Sequence, residues 1–185
     1  MKKKPPLKLY TKTGDQGTSS TLSGRFAKDH SLFEVVGTLD ELNATLGLVA
    51  VIAKTATKKE LLLIQNLLLV IGAVVSGSRQ VKLKPNHVTF LEKRIDFYQS
   101  HSGKQWLTSF ILPGGIEVAA RLDLARTICR RLERLVVTLS QNQKIDPLIL
   151  KYLNRLSDYL YALRCHLNYQ DKYKEIKFNS SEFRR

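Results

Sequence analysis

Apolar residues recur at three- and four-residue spacing through most of the chain beyond position 31, and this periodicity predicts five helices. The first runs from about Leu32 to Ala53, with Leu39, Leu42, Leu46 and Val49 on one stripe. The second covers roughly Lys58 to Val75 and is apolar on nearly every side, the pattern of a central, buried helix. A third opens at Pro85-Asn86, where proline suits a first turn, and stops before Gly103. Pro113-Gly114-Gly115 then breaks the chain ahead of a fourth helix from about Ile116 to Gln141. Asp146-Pro147 supplies a cap and first turn for a fifth that ends near Asn168. In the fourth helix Leu124, Ile128, Leu132, Leu135 and Leu139 form the expected buried stripe. Arg126, Arg130, Glu133 and Arg134 lie opposite, with Asp123 among them.

Residues 1–30 lack this periodicity. The run from Thr11 to Ser20 consists mostly of turn and hydroxyl residues, and predicts a glycine-rich loop following a short strand. The expected architecture is all-α: five helices in a ferritin-like, up-and-down bundle carrying an N-terminal loop. One domain spans 1–170, with the loop in 1–30 and the bundle in 31–170, and 171–185 reads as a flexible basic tail. At 185 residues a single core can bury about 70% of the unfolded chain's surface, so no covalent staple is required. Two cysteines exclude a disulfide framework and a cysteine-rich zinc module. The lysine-rich start has no apolar segment behind it. The longest apolar block, Leu61 to Val75, is interrupted by Gln65 and Asn66 and falls short of the roughly 20 residues that span a bilayer. The expectation is a cytoplasmic protein without a membrane partner.

Thirty basic against sixteen acidic residues leave a net charge of +14, which points to polyanionic partners such as nucleic acid, anionic lipid or a phosphate-rich small molecule. Arg126, Arg130 and Arg134 stand one turn apart, and such a row of guanidinium forks suits phosphate oxygens. A solvated helix face with local ion pairs has the same spacing. Small residues in Thr13-Gly14-Asp15-Gln16-Gly17-Thr18 would let backbone N–H groups approach a phosphate, with Lys12 and Lys28 adding charge. No P-loop spacing follows, and a plain surface turn reads the same way. Asp40, at the edge of the first helix's buried stripe, needs a cation, for which an arginine of the fourth helix is the candidate. Asn154 and Asp158 share a face of the fifth helix. His30, His87, His101 and His166 have no metal-ligand spacing, and neither cysteine has the setting of a thiolate nucleophile. Tyr169, Tyr173, Phe178 and Phe183 lie among lysines, which keeps single-strand nucleic-acid binding open.

Tyr10-Thr11-Lys12-Thr13-Gly14-Asp15-Gln16-Gly17-Thr18 and Gly37-Thr38-Leu39-Asp40-Glu41-Leu42-Asn43 closely resemble the opening of the PduO-type ATP:cob(I)alamin adenosyltransferases. Leu112 to Gly115, Ala125 to Arg134 and Tyr152 to Asp158 resemble that family's later blocks, in the same order, from about Tyr10 to Asn168. The resemblance implies a five-helix bundle assembled as a homotrimer, with ATP between neighbouring subunits. It implies transfer of the 5′-deoxyadenosyl group of ATP, brought with Mg²⁺, to the cobalt of cob(I)alamin, with release of triphosphate. It implies that Thr11, Lys12, Thr13, Gly14, Ser19, Ser20 and Lys28 are nucleotide ligands, together with Arg130, Arg131, Glu133, Arg134 and Asn154. Asp40 and Arg126 match a carboxylate–guanidinium pair that bridges subunits beside the corrinoid. Phe110 matches a residue crowding the lower face of cobalt, and Phe183 one that closes the site. A flavoprotein reductase and an adenosylcobalamin-dependent enzyme are the implied partners, with nucleic acid set aside. A corrinoid-delivery protein without efficient turnover and a basic nucleic-acid-binding bundle are the competing readings. Leu32, Val36 and Asp123 depart from the commonest family pattern, and Asp123 is expected to add negative charge near the arginines.

Overall fold

The computed structural model describes residues 9–179 and 181. Among them it holds a two-stranded hairpin, β1 (Thr18–Thr21) and β2 (Gly24–Ala27), and six helices. The helices are α1 (Ser31–Ile52), α2 (Thr55–Val75), α3 (Pro85–Ser100), the single-turn α4 (Gln105–Thr108), α5 (Glu117–Ser140) and α6 (Pro147–Gln170). The expected helices correspond to the five long ones, within a few residues at each end. Two of the starts are fixed by side chains. His30 Nδ1 accepts from Leu32 N–H at 3.1 Å ahead of α1, and Asp146 Oδ1 accepts from Leu148 N–H at 2.9 Å ahead of α6, with Pro147 in the first turn.

The helices pack in a row in which α1 touches α2 and α5, α5 touches α6, and α6 touches α3. The core runs along this row from Leu32, Leu42 and Leu46 through Leu122, Ala125 and Leu132 to Leu153, Leu156 and Leu160. The expectation that α2 is central does not hold. Leu62, Leu63 and Leu69 face outward, Leu69 with 63% of its surface exposed; α2 lies at one end of the row, and α6 is the most buried helix instead. Burial of α6 runs unbroken from Ala162 to Asn168 and includes Arg164, His166 and Asn168. Those polar side chains hide a buried helix from a count of apolar residues. Leu124 also leaves the expected stripe of α5, being more than half exposed. The helix α1 is long and apolar enough to cross a bilayer by composition, but its stripe from Leu32 to Val49 is packed against α2 and α5.

At the N-terminal end the expected order is reversed, because the turn-rich loop precedes the strands. The strands carry no apolar alternation, and of their side chains only Phe26 packs against the core, where its ring lies 4.9 Å from that of His30. At the other end the expected loose tail is corrected for residues 173–178. Leu112 N–H donates to Ile176 O and Phe178 N–H to Phe110 O, both at 2.8 Å, with an isolated antiparallel bridge between Ile111 and Lys177. Phe183 lies outside the described residues.

Glu60 ties the peripheral α2 to α3 and α6. Its carboxylate accepts from Tyr98 Oη at 2.9 Å and Tyr159 Oη at 2.8 Å, and pairs with Arg94 at 2.6 Å. The Arg94 guanidinium in turn lies 4.6 Å from the Phe97 ring centroid. Burial, then the Glu60 charge, pushes the Tyr98 phenol up to about 12, so it stays a donor at any working pH. Replacing Glu60 by Ala leaves two hydroxyls and a guanidinium without their acceptor. Urea unfolding is expected to show a loss of about 2–4 kcal/mol; an unchanged midpoint would mean that water replaces the carboxylate freely.

Candidate active site

Two clefts flank the outer edge of α5, and one side chain belongs to both. The larger, about 560 Å³, is lined by Arg126, Arg130, Ser157, Asp158, Tyr161 and the segment 106–111. The second, about 470 Å³, is lined by Arg130, Glu133, Arg134, Val137, Thr138 and Asn154. Arg130 is exposed and shared between them. Helical spacing explains the arrangement: residues 126, 130 and 134 descend one edge of α5, while Leu122, Ala125, Cys129 and Leu132 occupy its buried side.

Each arginine is held differently. Arg134 Nη1 donates to Arg130 O at 3.0 Å, which leaves its remaining donors for the smaller cleft. Glu133 Oε1 accepts from Asn154 Nδ2 at 3.0 Å, and Asn154 Oδ1 accepts from Arg155 Nη1 at 2.7 Å, which fixes the orientation of the amide at the cleft wall. The Arg126 guanidinium stands 5.7 Å from the Tyr161 ring centroid, with Nε 3.7 Å from Asp123 Oδ1. Arg131 lines neither cleft and pairs instead with Glu41 of α1. Asp40 is exposed on α1 and is not joined to Arg126 within the chain. Burial is the main cause that raises the Asp158 pKa, with Glu133 adding to the rise and Arg155 and Arg130 opposing it.

The N-terminal loop is organised by a residue not anticipated from the sequence. Arg25 on β2 donates from Nε to Thr18 Oγ1 at 2.9 Å and from Nη1 to Ser20 Oγ at 3.4 Å, and a third bond reaches Thr13 O. Thr11 and Thr13 share a hydroxyl–hydroxyl bond of 2.8 Å, and the Lys28 ammonium lies over Gly14. Thr11, Lys12, Thr13, Gly14, Ser19, Ser20 and Lys28 therefore gather on one small unit. No hydrogen bond or ion pair joins that unit to Arg130 or Arg134 among the described residues.

Phe110 stands at the rim of the larger cleft with 85% of its surface exposed, an unusual cost for an aromatic ring unless something covers it. The chain around it is anchored by the buried Arg164, which sequence reasoning missed. A cation inside Leu160-Tyr161-Ala162-Leu163-Arg164-Cys165 was the available signal, since a buried guanidinium demands a carboxylate. Asp123 supplies one: Oδ2 accepts from Arg164 Nε at 3.0 Å and from Gly114 N–H at 2.9 Å. The negative charge expected near the arginines is there, with Oδ1 3.7 Å from Arg126 Nε, but its other oxygen is committed to Arg164 and Gly114. Gly115 lies against Asn168, where a Cβ would come within 2.2 Å of the amide nitrogen, and has φ +113°.

Fold and site together define a helical protein with a row of guanidinium groups between a polar cleft suited to phosphates and a roomier one with an aromatic rim. The family profile for cobalamin adenosyltransferase matches residues 9–167, and this chain belongs to that family. It is 40% identical over 185 residues to the corrinoid adenosyltransferase of Bacillus subtilis, covering 95% of this chain and 94% of that one. It is 44% identical over 171 residues to the corrinoid adenosyltransferase MMAB of Homo sapiens, covering 84% of this chain and 67% of the relative. Among solved structures, a variant PduO-type ATP:corrinoid adenosyltransferase from Lactobacillus reuteri complexed with cobalamin and ATP superposes with a TM-score of 0.87 at 31% identity, covering 93% and 99% of the two chains.

Asn168 is fully buried and cannot swing away from a new methyl group. Gly115→Ala is therefore expected to cost about 2–4 kcal/mol through backbone strain and overlap together. Thermal unfolding checks this, and a variant as stable as the parent would mean that the 114–116 turn rearranges at little cost.

Proposed function

We propose that this protein transfers the 5′-deoxyadenosyl group of ATP to the cobalt of a reduced corrinoid, cob(I)alamin, giving adenosylcobalamin and triphosphate. The observation that carries this reading is Arg130, whose side chain serves both clefts. The triphosphate suits the smaller cleft, against Arg130 and Arg134, with Asn154 and Glu133 at its wall. The corrinoid suits the larger one, bounded by Phe110 and Tyr161. In the transfer the cobalt(I) electron pair forms the Co–C bond to C5′ while the C5′–O bond breaks, and that bond's pair leaves on the triphosphate. No proton moves, so no base is required of the protein. Its thiols agree with this: burial, then Glu133, pushes Cys129 up, and burial pushes Cys165 up to about 11. What the protein supplies is alignment and a fixed positive charge where negative charge gathers.

Mg²⁺ would arrive on the triphosphate. The one carboxylate in that cleft, Glu133, is already tied to Asn154, so phosphate oxygens and water would supply most of the ion's ligands. The separation of the loop unit from the arginines within one chain supports a homotrimer in which Thr11, Lys12, Thr13, Gly14, Ser19, Ser20 and Lys28 complete a neighbour's cleft. Outward apolar residues on α1 and α5, among them Leu48, Val51 and Leu124, support the same assembly, and Asp40 would meet Arg126 across that boundary. Arg131 acts in this reading through Glu41. We read the five long helices as an up-and-down bundle. Phe110 would crowd the lower axial position of cobalt and ease reduction of the Co(II) form. A flavoprotein reductase would supply that electron, and an adenosylcobalamin-dependent enzyme would take the product. Two free buried thiols suit a reducing, cytoplasmic setting.

Anaerobic mixing of the protein with ATP, Mg²⁺ and chemically reduced cobalamin is expected to produce the absorbance change of cobalt alkylation; a rate no higher than a protein-free control would reject the proposal. One turnover followed by a stall would favour corrinoid delivery instead. Arg130→Ala should reduce kcat/KM for ATP at least about tenfold, about 1.4 kcal/mol, with thermal unfolding nearly unchanged. Phe110→Ala should hurt turnover from cob(II)alamin plus reductant more than turnover from cob(I)alamin, and equal losses on both would remove its axial role.

A further inference from the structure

Arg164 is 1% exposed, and each of its five N–H groups has an acceptor. Nε donates to Asp123 Oδ2 at 3.0 Å, and Nη1 to Glu175 Oε1 at 2.7 Å and Cys165 Sγ at 3.6 Å. Nη2 donates to the carbonyls of Leu112 and Gly114, both at 3.0 Å. Asn168 runs in parallel, with Nδ2 donating to Gly114 O at 3.1 Å and Glu175 Oε1 at 3.0 Å, and Oδ1 accepting from Ile116 N–H at 3.0 Å. One guanidinium and one amide thus bind α5, α6, the 112–116 turn and the chain beyond α6. Past Glu175 that chain closes on the rim segment: Ile176 O accepts from Leu112 N–H, and Phe178 N–H donates to Phe110 O.

We propose that Arg164 is a positioning residue which, through Glu175 and the carbonyls of Leu112 and Gly114, clasps the post-helical segment 175–178 onto 110–112 and so sets Phe110 over the larger cleft. The inference rests on the adenosyltransferase reading for what Phe110 does there, but not for the clasp itself. A ring that is 85% exposed has little packing of its own to hold it. Its backbone must therefore be fixed from behind, and the single residue between Phe110 and Leu112, Ile111, leaves little slack. The clasp also explains why Asp123 and Arg164 occur together. Either charge alone, buried in this place, would be destabilising, and removing one strands the other.

The test uses Arg164→Lys, which keeps a positive charge but loses the planar fork, and Glu175→Gln, which lies beyond α6 and keeps the bundle intact should the first variant fold poorly. Amide hydrogen exchange at Leu112 and Phe178 is expected to quicken at least about tenfold in either variant, while amides of Tyr152 to Leu163 keep their protection. Turnover from cob(II)alamin plus reductant should fall at least about fivefold relative to turnover from cob(I)alamin, with KM for ATP within about twofold of the parent. Added to Phe110→Ala, Glu175→Gln should cost nothing further, because the ring it positions is gone. Unchanged exchange overturns the clasp. Faster exchange with an unchanged ratio of the two turnovers, equal losses on both substrates, or a full additional loss in the Phe110→Ala background overturns the positioning role. A parent protein that is itself inactive overturns the proposed function and appears in every sample, whereas failure of the present inference appears only in the variants.

Discussion

Burying a guanidinium removes it from water at a cost of several kcal/mol, and the cost is recovered only if every donor finds an acceptor of good geometry. Arg164 meets that condition with two carboxylates, two backbone carbonyls and a sulfur drawn from four separate stretches of chain. Those stretches are consequently locked to one another. The 112–116 turn cannot shift without stranding Arg164, and Gly115 cannot carry a side chain because Asn168, a second member of the network, fills that space. The remaining geometry of the larger cleft inherits this constraint, since its rim leads directly out of the turn.

The helix α5 is where sequence pattern becomes site. Its buried side packs on α1 and α6, Arg131 reaches Glu41 on α1, and its opposite edge presents Arg126, Arg130 and Arg134 to the clefts. Asp123 lies one turn before Arg126, and its two oxygens divide their work: Oδ2 serves Arg164 and Gly114, while Oδ1 faces Arg126 at 3.7 Å, too far for a direct hydrogen bond. The Arg126 charge is therefore only lightly engaged. The guanidinium groups along this edge keep most of their donors for a ligand, which is the condition for electrostatic preorganisation.

Much of this was legible in the chain. The helix boundaries followed from periodicity, capping residues and the Pro113-Gly114-Gly115 break, because those signals are local. The arginine row was legible for the same reason, since a helix fixes the relative placement of residues four apart. Three features were not. The outward face of α2 looks like core in sequence because Leu62, Leu63 and Leu69 are apolar whether they meet the chain's own interior or another surface. The deep burial of α6 was hidden by Arg164, His166 and Asn168, whose burial depends on partners distant in sequence. The hairpin of β1 and β2 has no alternating pattern, being held by Arg25 and by Phe26 rather than by a strand-wide apolar face. In each case the missing information was a long-range contact.

The same distinction bears on chemistry. Neither thiol is poised to react, and the two shifted titratable groups in the larger cleft's lining, Tyr161 and Asp158, are both held upward mainly by burial, the Tyr161 phenol to about 12. A site so poor in nucleophiles and bases can accelerate a reaction only when the substrates bring the reactive electrons, and reduced cobalt does so. What is then asked of the protein is precision of placement, which a flexible surface loop bearing an exposed phenylalanine would not provide by itself. A buried, fully bonded arginine behind that loop provides it. On this argument the expensive interior charge and the exposed ring are two ends of one device.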